Sequence, residues 1–124
     1  MAEILVLDDV LDAGLLIKKI FERKGHAVYV FDEEEDALKY AKEHPVDLAI
    51  LDIKLKKLTG IEVLEELKTM QKDMKAIILT GYPTIETARQ AATIGASEYC
   101  VKPIDKEELE EKVEKVLSPL LNQK

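Results

Sequence analysis

The chain has 124 residues, 47% hydrophobic and 35% charged, which suits one folded domain with a real core and excludes a disordered chain. A formal net charge of −7 argues against non-specific nucleic-acid binding, which needs Lys and Arg to neutralise phosphates, and fits an acidic site that takes up a cation. No apolar run nears the roughly 20 residues of a membrane span, no basic and apolar leader is visible, and the single cysteine, Cys100, excludes an internal disulfide and fits a reducing cytosol.

Short apolar runs alternate five times with longer amphipathic segments. The first, Ile4 to Leu7, is expected as a strand that ends on two adjacent acids, Asp8 and Asp9. A helix over about Leu11 to Lys24 follows, with Gly25 as a left-handed stop. The stretch "AVYVF", Ala27 to Phe31, reads as a β-branched and aromatic strand. Asp32 is expected to cap the next helix, "EEEDALKYAKEH", which must stop before Pro45; the run "DEEED" reads as its solvated start. "DLAIL", Asp47 to Leu51, is continuously apolar after its first residue, as in strands buried on both faces.

Thr59 stands three residues before Glu62, the spacing of a capping box, and Ile61, Leu64 and Leu67 follow at helical intervals. "AIIL", Ala76 to Leu79, is the fourth expected strand. Pro83 and Thr84 open a helix that Gly95 closes, "EYCV" from Glu98 to Val101 is the fifth strand, and a last helix runs from Asp105 to about Leu117. The tail from residue 118 to 124 is a frayed end or the start of a linker. Strict alternation with fully apolar strands implies a five-stranded parallel sheet, doubly wound with five helices.

Polar residues stand directly after the strands: Asp8 and Asp9 after the first, Asp52 after the third, Thr80 after the fourth, Lys102 after the fifth. In a parallel sheet these ends share one edge, where ligands of open α/β sheets bind. Alternation alone does not set the strand order. The order 2-1-3-4-5, borrowed from known doubly wound sheets, would gather the three acids round one crevice. Three carboxylates with a hydroxyl and a lysine suit Mg²⁺, which takes one or two carboxylates, keeps waters and draws in phosphate oxygens. The ion would offset the repulsion between Asp8 and Asp9; the lysine and the hydroxyl would hold the remaining phosphoryl oxygens.

"LVLDD", "LAILD" with Gly60 eight residues after Asp52, "ILTGY" and "EYCVKP", each at the end of a strand, together resemble a response-regulator receiver domain with the flavodoxin-like chemotaxis-regulator fold. This is the phospho-acceptor half of bacterial two-component signalling, and the resemblance runs from Ala2 to about Leu117 within a domain expected over residues 1–121. It implies that Asp52 is the phosphorylated residue, with Asp9 a direct Mg²⁺ ligand, Asp8 acting largely through water, and the Lys54 backbone carbonyl a further ligand. Thr80 would bind the phosphoryl group and report its arrival, Lys102 would pair with it, Tyr99 would be the switch aromatic, and Lys102–Pro103 a cis peptide.

The implied donor is a sensor histidine kinase or phosphotransfer protein. The implied response is a change in the surface of helix four, strand five and helix five, read by an effector domain, a partner protein or a second copy on activation. The implied location is the cytoplasm, with no membrane and no direct nucleic-acid contact. The sequence departs from the family where Lys56 replaces a common proline and Ile104 a common phenylalanine; Lys54, Lys56 and Lys57 would make the rim basic. Lys54 and Tyr82 stand where the family tunes dephosphorylation.

Plainer readings exist for each residue alone. Asp8 and Asp9 could cap the first helix, Thr80 could be a turn hydroxyl, Lys102 a surface charge and Tyr99 ordinary strand packing. Cys100 is expected in the core, and His26 and His44 lie far in sequence from the acids. A Mg²⁺-dependent phosphatase of the haloacid-dehalogenase type would need an acid two residues beyond its nucleophile, where Val10 and Leu11 stand after Asp8 and Asp9. A flavodoxin-like cofactor binder would need a Gly- or Ser-rich loop where "DDVLDAG" lies. A non-phosphorylated adaptor of the same fold would have no use for the five polar residues together.

Overall fold

In a computed structural model that describes residues 1–55 and 59–121, the ten elements alternate strictly. In chain order they are β1 Glu3–Leu7, α1 Leu11–Glu22, β2 Ala27–Phe31, α2 Glu34–Glu43, β3 Leu48–Leu51, α3 Gly60–Met70, β4 Lys75–Thr80, α4 Ile85–Ile94, β5 Glu98–Val101 and α5 Lys106–Leu121. The five strands form one parallel sheet in the order β2-β1-β3-β4-β5. The chain therefore reverses between β1 and β3, which opens the crevice at their C-terminal ends.

Side-chain alternation divides the core in two. Ile4, Val6, Leu48, Ile50, Ile77 and Leu79 pack on one face with Phe21 of α1 and Val113 of α5. Leu5, Leu7, Ala49, Leu51, Ala76 and Ile78 pack on the other with Ala37 of α2, Leu64 and Leu67 of α3 and Ala91 of α4. Both faces are covered, so the strands read as unbroken apolar runs. Cys100 is buried, and Ile104 packs against the first of these clusters.

The helix boundaries follow local chemistry. Thr59 and Glu62 form a complete capping box on α3: Glu62 N–H donates to Thr59 Oγ1 and Thr59 N–H donates to the Glu62 carboxylate. Thr84 caps α4 by accepting from Thr87 N–H, and Gly95 ends that helix with φ +105°. Gly25, φ +92°, turns the chain after α1. Asp32, expected as the cap of α2, lies outside it; Glu33 holds the N-cap position, with three acids in the first turn to favour the dipole. The "DEEED" run is not all solvated, because Glu34 is buried. Helix α5 extends through Ser118–Leu121, a stretch expected as tail, and the Ser118 hydroxyl donates to the Glu114 carbonyl.

Gly60 sets how closely α3 approaches β3. A Cβ there would overlap the backbone carbonyl of Asp52, and Gly60 N–H donates to Ile53 O at 2.8 Å. Backbone cannot yield as a side chain can, so Gly60→Ala is expected to cost about 3 kcal/mol, the upper end for overpacking. Urea unfolding of the two chains measures it, and a midpoint unchanged by the substitution would show that α3 moves freely.

Candidate functional site

Each strand delivers its polar residue to the same edge. Leu7, Leu51 and Thr80 are the last residues of β1, β3 and β4, so Asp8 and Asp52 emerge side by side and Thr80 stands on the neighbouring strand. Asp8, Asp9 and Asp52 each offer a carboxylate oxygen within 4.8 Å of the others. Asp8 is 3% exposed and Asp52 7%, while Asp9 is half-buried.

The fifth strand supplies the counter-charge. Lys102 Nζ lies 2.7 Å from Asp8 Oδ2 and 3.2 Å from Asp52 Oδ2, joining residues 94 and 50 positions apart in the chain. Burial alone would lower the pKa of this ammonium. Asp8 and then Asp52 outweigh that penalty and raise it above the ordinary lysine value, so Lys102 is charged at neutral pH. Lys102 N–H donates to Thr80 O at 2.8 Å, and the Lys102–Pro103 peptide is cis.

Backbone donors orient the acids. Val10 N–H donates to Asp8 Oδ1 at 2.9 Å, and Lys54 N–H to Asp52 Oδ1 at 3.3 Å. Tyr82 N–H donates in the same way to Thr80 Oγ1 at 3.0 Å. Thr80 is fully buried, and with its oxygen accepting, its hydroxyl proton is the group left to donate. The side chains of Lys54 and Tyr82 meet across the mouth, Lys54 Nζ 4.3 Å from the Tyr82 ring centroid, a cation–π contact that spacing alone could not reveal.

Tyr99 is half-buried on β5, opposite Ile78, and packs towards α3 and α4. Its hydroxyl lies 2.8 Å from Thr87 Oγ1 and accepts from Thr84 N–H at 3.3 Å. Nothing in the residue pattern singles out Thr87, whose partner is twelve residues away on another element. His26 and His44 take structural roles: His26 Nδ1 accepts from Ala2 N–H, and His44 stacks on Tyr40. Lys56 and Lys57, expected as part of a basic rim, lie outside the described residues.

Among the described residues, three carboxylates, all hard oxygen donors, converge and one lysine is bonded to two of them, so acidic oxygens outnumber cations where an ion would sit. That donor set fits Mg²⁺ and offers a thiolate- or imidazole-seeking metal nothing.

Comparison with known proteins gives a consistent answer. A family model described as the response regulator receiver domain matches residues 4–114. The transcriptional regulatory protein ZraR of Escherichia coli K12 is 30% identical over 116 residues, covering 94% of this chain but 26% of that protein. The chain thus spans about a quarter of the ZraR regulators it matches. A CheY-like receiver domain protein from Methanospirillum hungatei superposes with a TM-score of 0.93 at 30% identity, covering 96% of this chain and 95% of that one. The response regulator TrrA of Thermotoga maritima, solved in complex with Mg(2+)-BeF, gives 0.84 at 36% identity over 94% of this chain and all of that one.

If carboxylate repulsion is what the ion relieves, Asp9→Asn is expected to raise stability in EDTA by about 1 kcal/mol. Mg²⁺ at ten times its Kd is expected to stabilise the unsubstituted chain by about 1.4 kcal/mol and the Asn variant hardly at all. Thermal unfolding with and without Mg²⁺ checks both, and an equal Mg²⁺ response in the two chains would place the ion elsewhere.

Proposed function

The chain belongs to the response regulator receiver domain family, and from that membership we propose a role for each residue gathered at the sheet edge. It is a phospho-acceptor receiver with a Mg²⁺-dependent site, and it catalyses its own phosphoryl transfer and hydrolysis and not the turnover of a separate substrate. Family membership implies a histidine kinase or phosphotransfer protein as donor.

The observation that carries the assignment of residues is the convergence of Asp8, Asp9 and Asp52 with a lysine bonded to two of them. Asp52 is the acceptor. Its carboxylate attacks phosphorus in line as the bond to the donor nitrogen breaks, and positioning with charge stabilisation does most of the work. Asp8, Asp9, Asp52 and the Lys54 carbonyl would hold Mg²⁺, which supplies positive charge to the phosphoryl oxygens when bound. Beryllofluoride is a phosphoryl mimic, so a relative solved in complex with Mg(2+)-BeF, TrrA, supports this reading.

Lys102 holds the opposite side of the group and, in doing so, gives up part of its hold on Asp8 and Asp52. Thr80 donates its hydroxyl to a phosphoryl oxygen, drawn by the roughly −1.5 to −2 that such a group adds. Tyr99 follows Thr80, and the surface of α4, β5 and α5 changes with it, biasing a pre-existing equilibrium. We assign residues 1–121 to this domain and place it in the cytoplasm, where a kinase finds ATP. The ZraR match favours a transcriptional regulator as the whole protein, with an effector domain, a partner or a second copy reading the switched surface.

Acetyl phosphate with Mg²⁺ is expected to add one acid-labile phosphoryl group, seen by intact mass, and Asp52→Asn to abolish it; unchanged labelling in that variant refutes the acceptor assignment. Lys102→Ala is expected to keep Mg²⁺ binding while phosphorylation slows about a hundredfold, as for loss of one preorganised charge. Loss of metal binding instead would make the lysine's role structural.

A further inference from the structure

A chain of hydrogen bonds leaves the site through Thr80 and ends on a residue to which no role has been given. Tyr82 N–H donates to Thr80 Oγ1, and two residues on, Thr84 N–H donates to the Tyr99 hydroxyl. That hydroxyl lies 2.8 Å from Thr87 Oγ1, itself 2.8 Å from Thr84 Oγ1. The loop between β4 and α4 is thus tied at one end to the switch hydroxyl and at the other to the switch aromatic. Thr87 is the only side chain of α4 bonded to Tyr99 among the described residues.

We propose that Thr87 is a positioning residue that holds the Tyr99 ring against the first turn of α4 and so stabilises the resting arrangement of the switch. This rests on the phospho-acceptor reading and deepens it: Tyr82 N–H holds Thr80 Oγ1, and the same loop carries Thr84, which shares the Tyr99 hydroxyl, so a shift of Thr80 towards a phosphoryl oxygen pulls on the segment that holds Tyr99. A contact made only in the resting state lowers the fraction of molecules competent to hold the phosphoryl group, and apparent affinity falls in proportion. The α4 cap does not depend on it, because Thr84 Oγ1 accepts from the Thr87 backbone, which every substitution keeps.

The test is titration of the chain with beryllofluoride and Mg²⁺ by calorimetry. Thr87→Val keeps the shape and loses the hydroxyl; Tyr99→Phe keeps the ring and loses its partner. Each is expected to bind beryllofluoride about three- to tenfold more tightly, the range one net hydrogen bond allows. The double variant is expected to be no tighter than Tyr99→Phe, which already removes the Tyr99–Thr87 pair along with the bond from Thr84 N–H. Thr87→Ser, which restores the hydroxyl, is expected to bind like the unsubstituted chain. Unchanged or weaker binding by the single variants, or effects that add, overturn the role of Thr87 alone. Failure of the unsubstituted chain to bind overturns the phospho-acceptor reading as well.

Discussion

Lys102 is shared between two buried carboxylates, and the polar edge of the sheet depends on that sharing. Asp8 and Asp52 leave adjacent parallel strands almost free of solvent, where like charges repel and water cannot screen them. One ammonium between them satisfies both, at the cost of its own burial. Such a buried arrangement adds little net stability, since desolvation consumes much of the Coulomb gain. Among the described residues no cation is bonded to Asp9, which stands beside two acids that share a single lysine, and this favours one more cation at the edge. On the proposed reading, with that cation bound, a phosphoryl group on Asp52 would have positive charge on both sides.

The alternation of side chains explains why the site has two halves. Val6, Ile50 and Cys100 face α1 and α5, and Asp8, Asp52 and Lys102 keep the same parity two residues on. These are the groups that make contact with one another. Ile78 faces α2, α3 and α4, and so do the positions of Thr80 and Tyr99. The charged half and the hydroxyl half meet only at the edge. Helix α4 packs on the hydroxyl side and α5 on the charged side, so a surface built from α4, β5 and α5 reaches both halves of the site.

The fold is legible in the sequence because its strands are buried on both faces, which leaves runs such as "LAIL" and "AIIL" with no polar interruption. The capping box at Thr59 and the stop at Gly95 are legible because caps are local chemistry. Strand order is not, since any parallel sheet would give the same alternation; resemblance supplies it. The start of α2 is misplaced at Asp32 because a run of acids offers several equivalent caps, and burial of Glu34 is set by tertiary packing. The Lys54–Tyr82 and Tyr99–Thr87 contacts join residues 28 and 12 positions apart and leave no pattern in either segment.

The packing of α3 and α4 decides which of them a phosphoryl group can move. Helix α3 buries Ile61, Val63, Leu64 and Leu67, each stabilising by about 1.5–3 kcal/mol. Helix α4 fully buries only Ala91, with Ala88 and Ile94 half-covered and Ile85 in solvent. Converting a population from 1:99 to 99:1 takes about 5.5 kcal/mol. On the proposed roles, a charge-assisted bond from Thr80 would contribute about 1.5–3 kcal/mol of that, with the remainder left to Lys102 and the metal. That sum is too small to unseat α3 and is commensurate with the hold on α4, where a single hydroxyl pair is a sizeable part of the anchorage. A switch driven by one phosphoryl group needs an underpacked element next to a rigid one, and the small residues of "ARQAATIGA" beside the branched ones of "GIEVLEEL" provide that contrast.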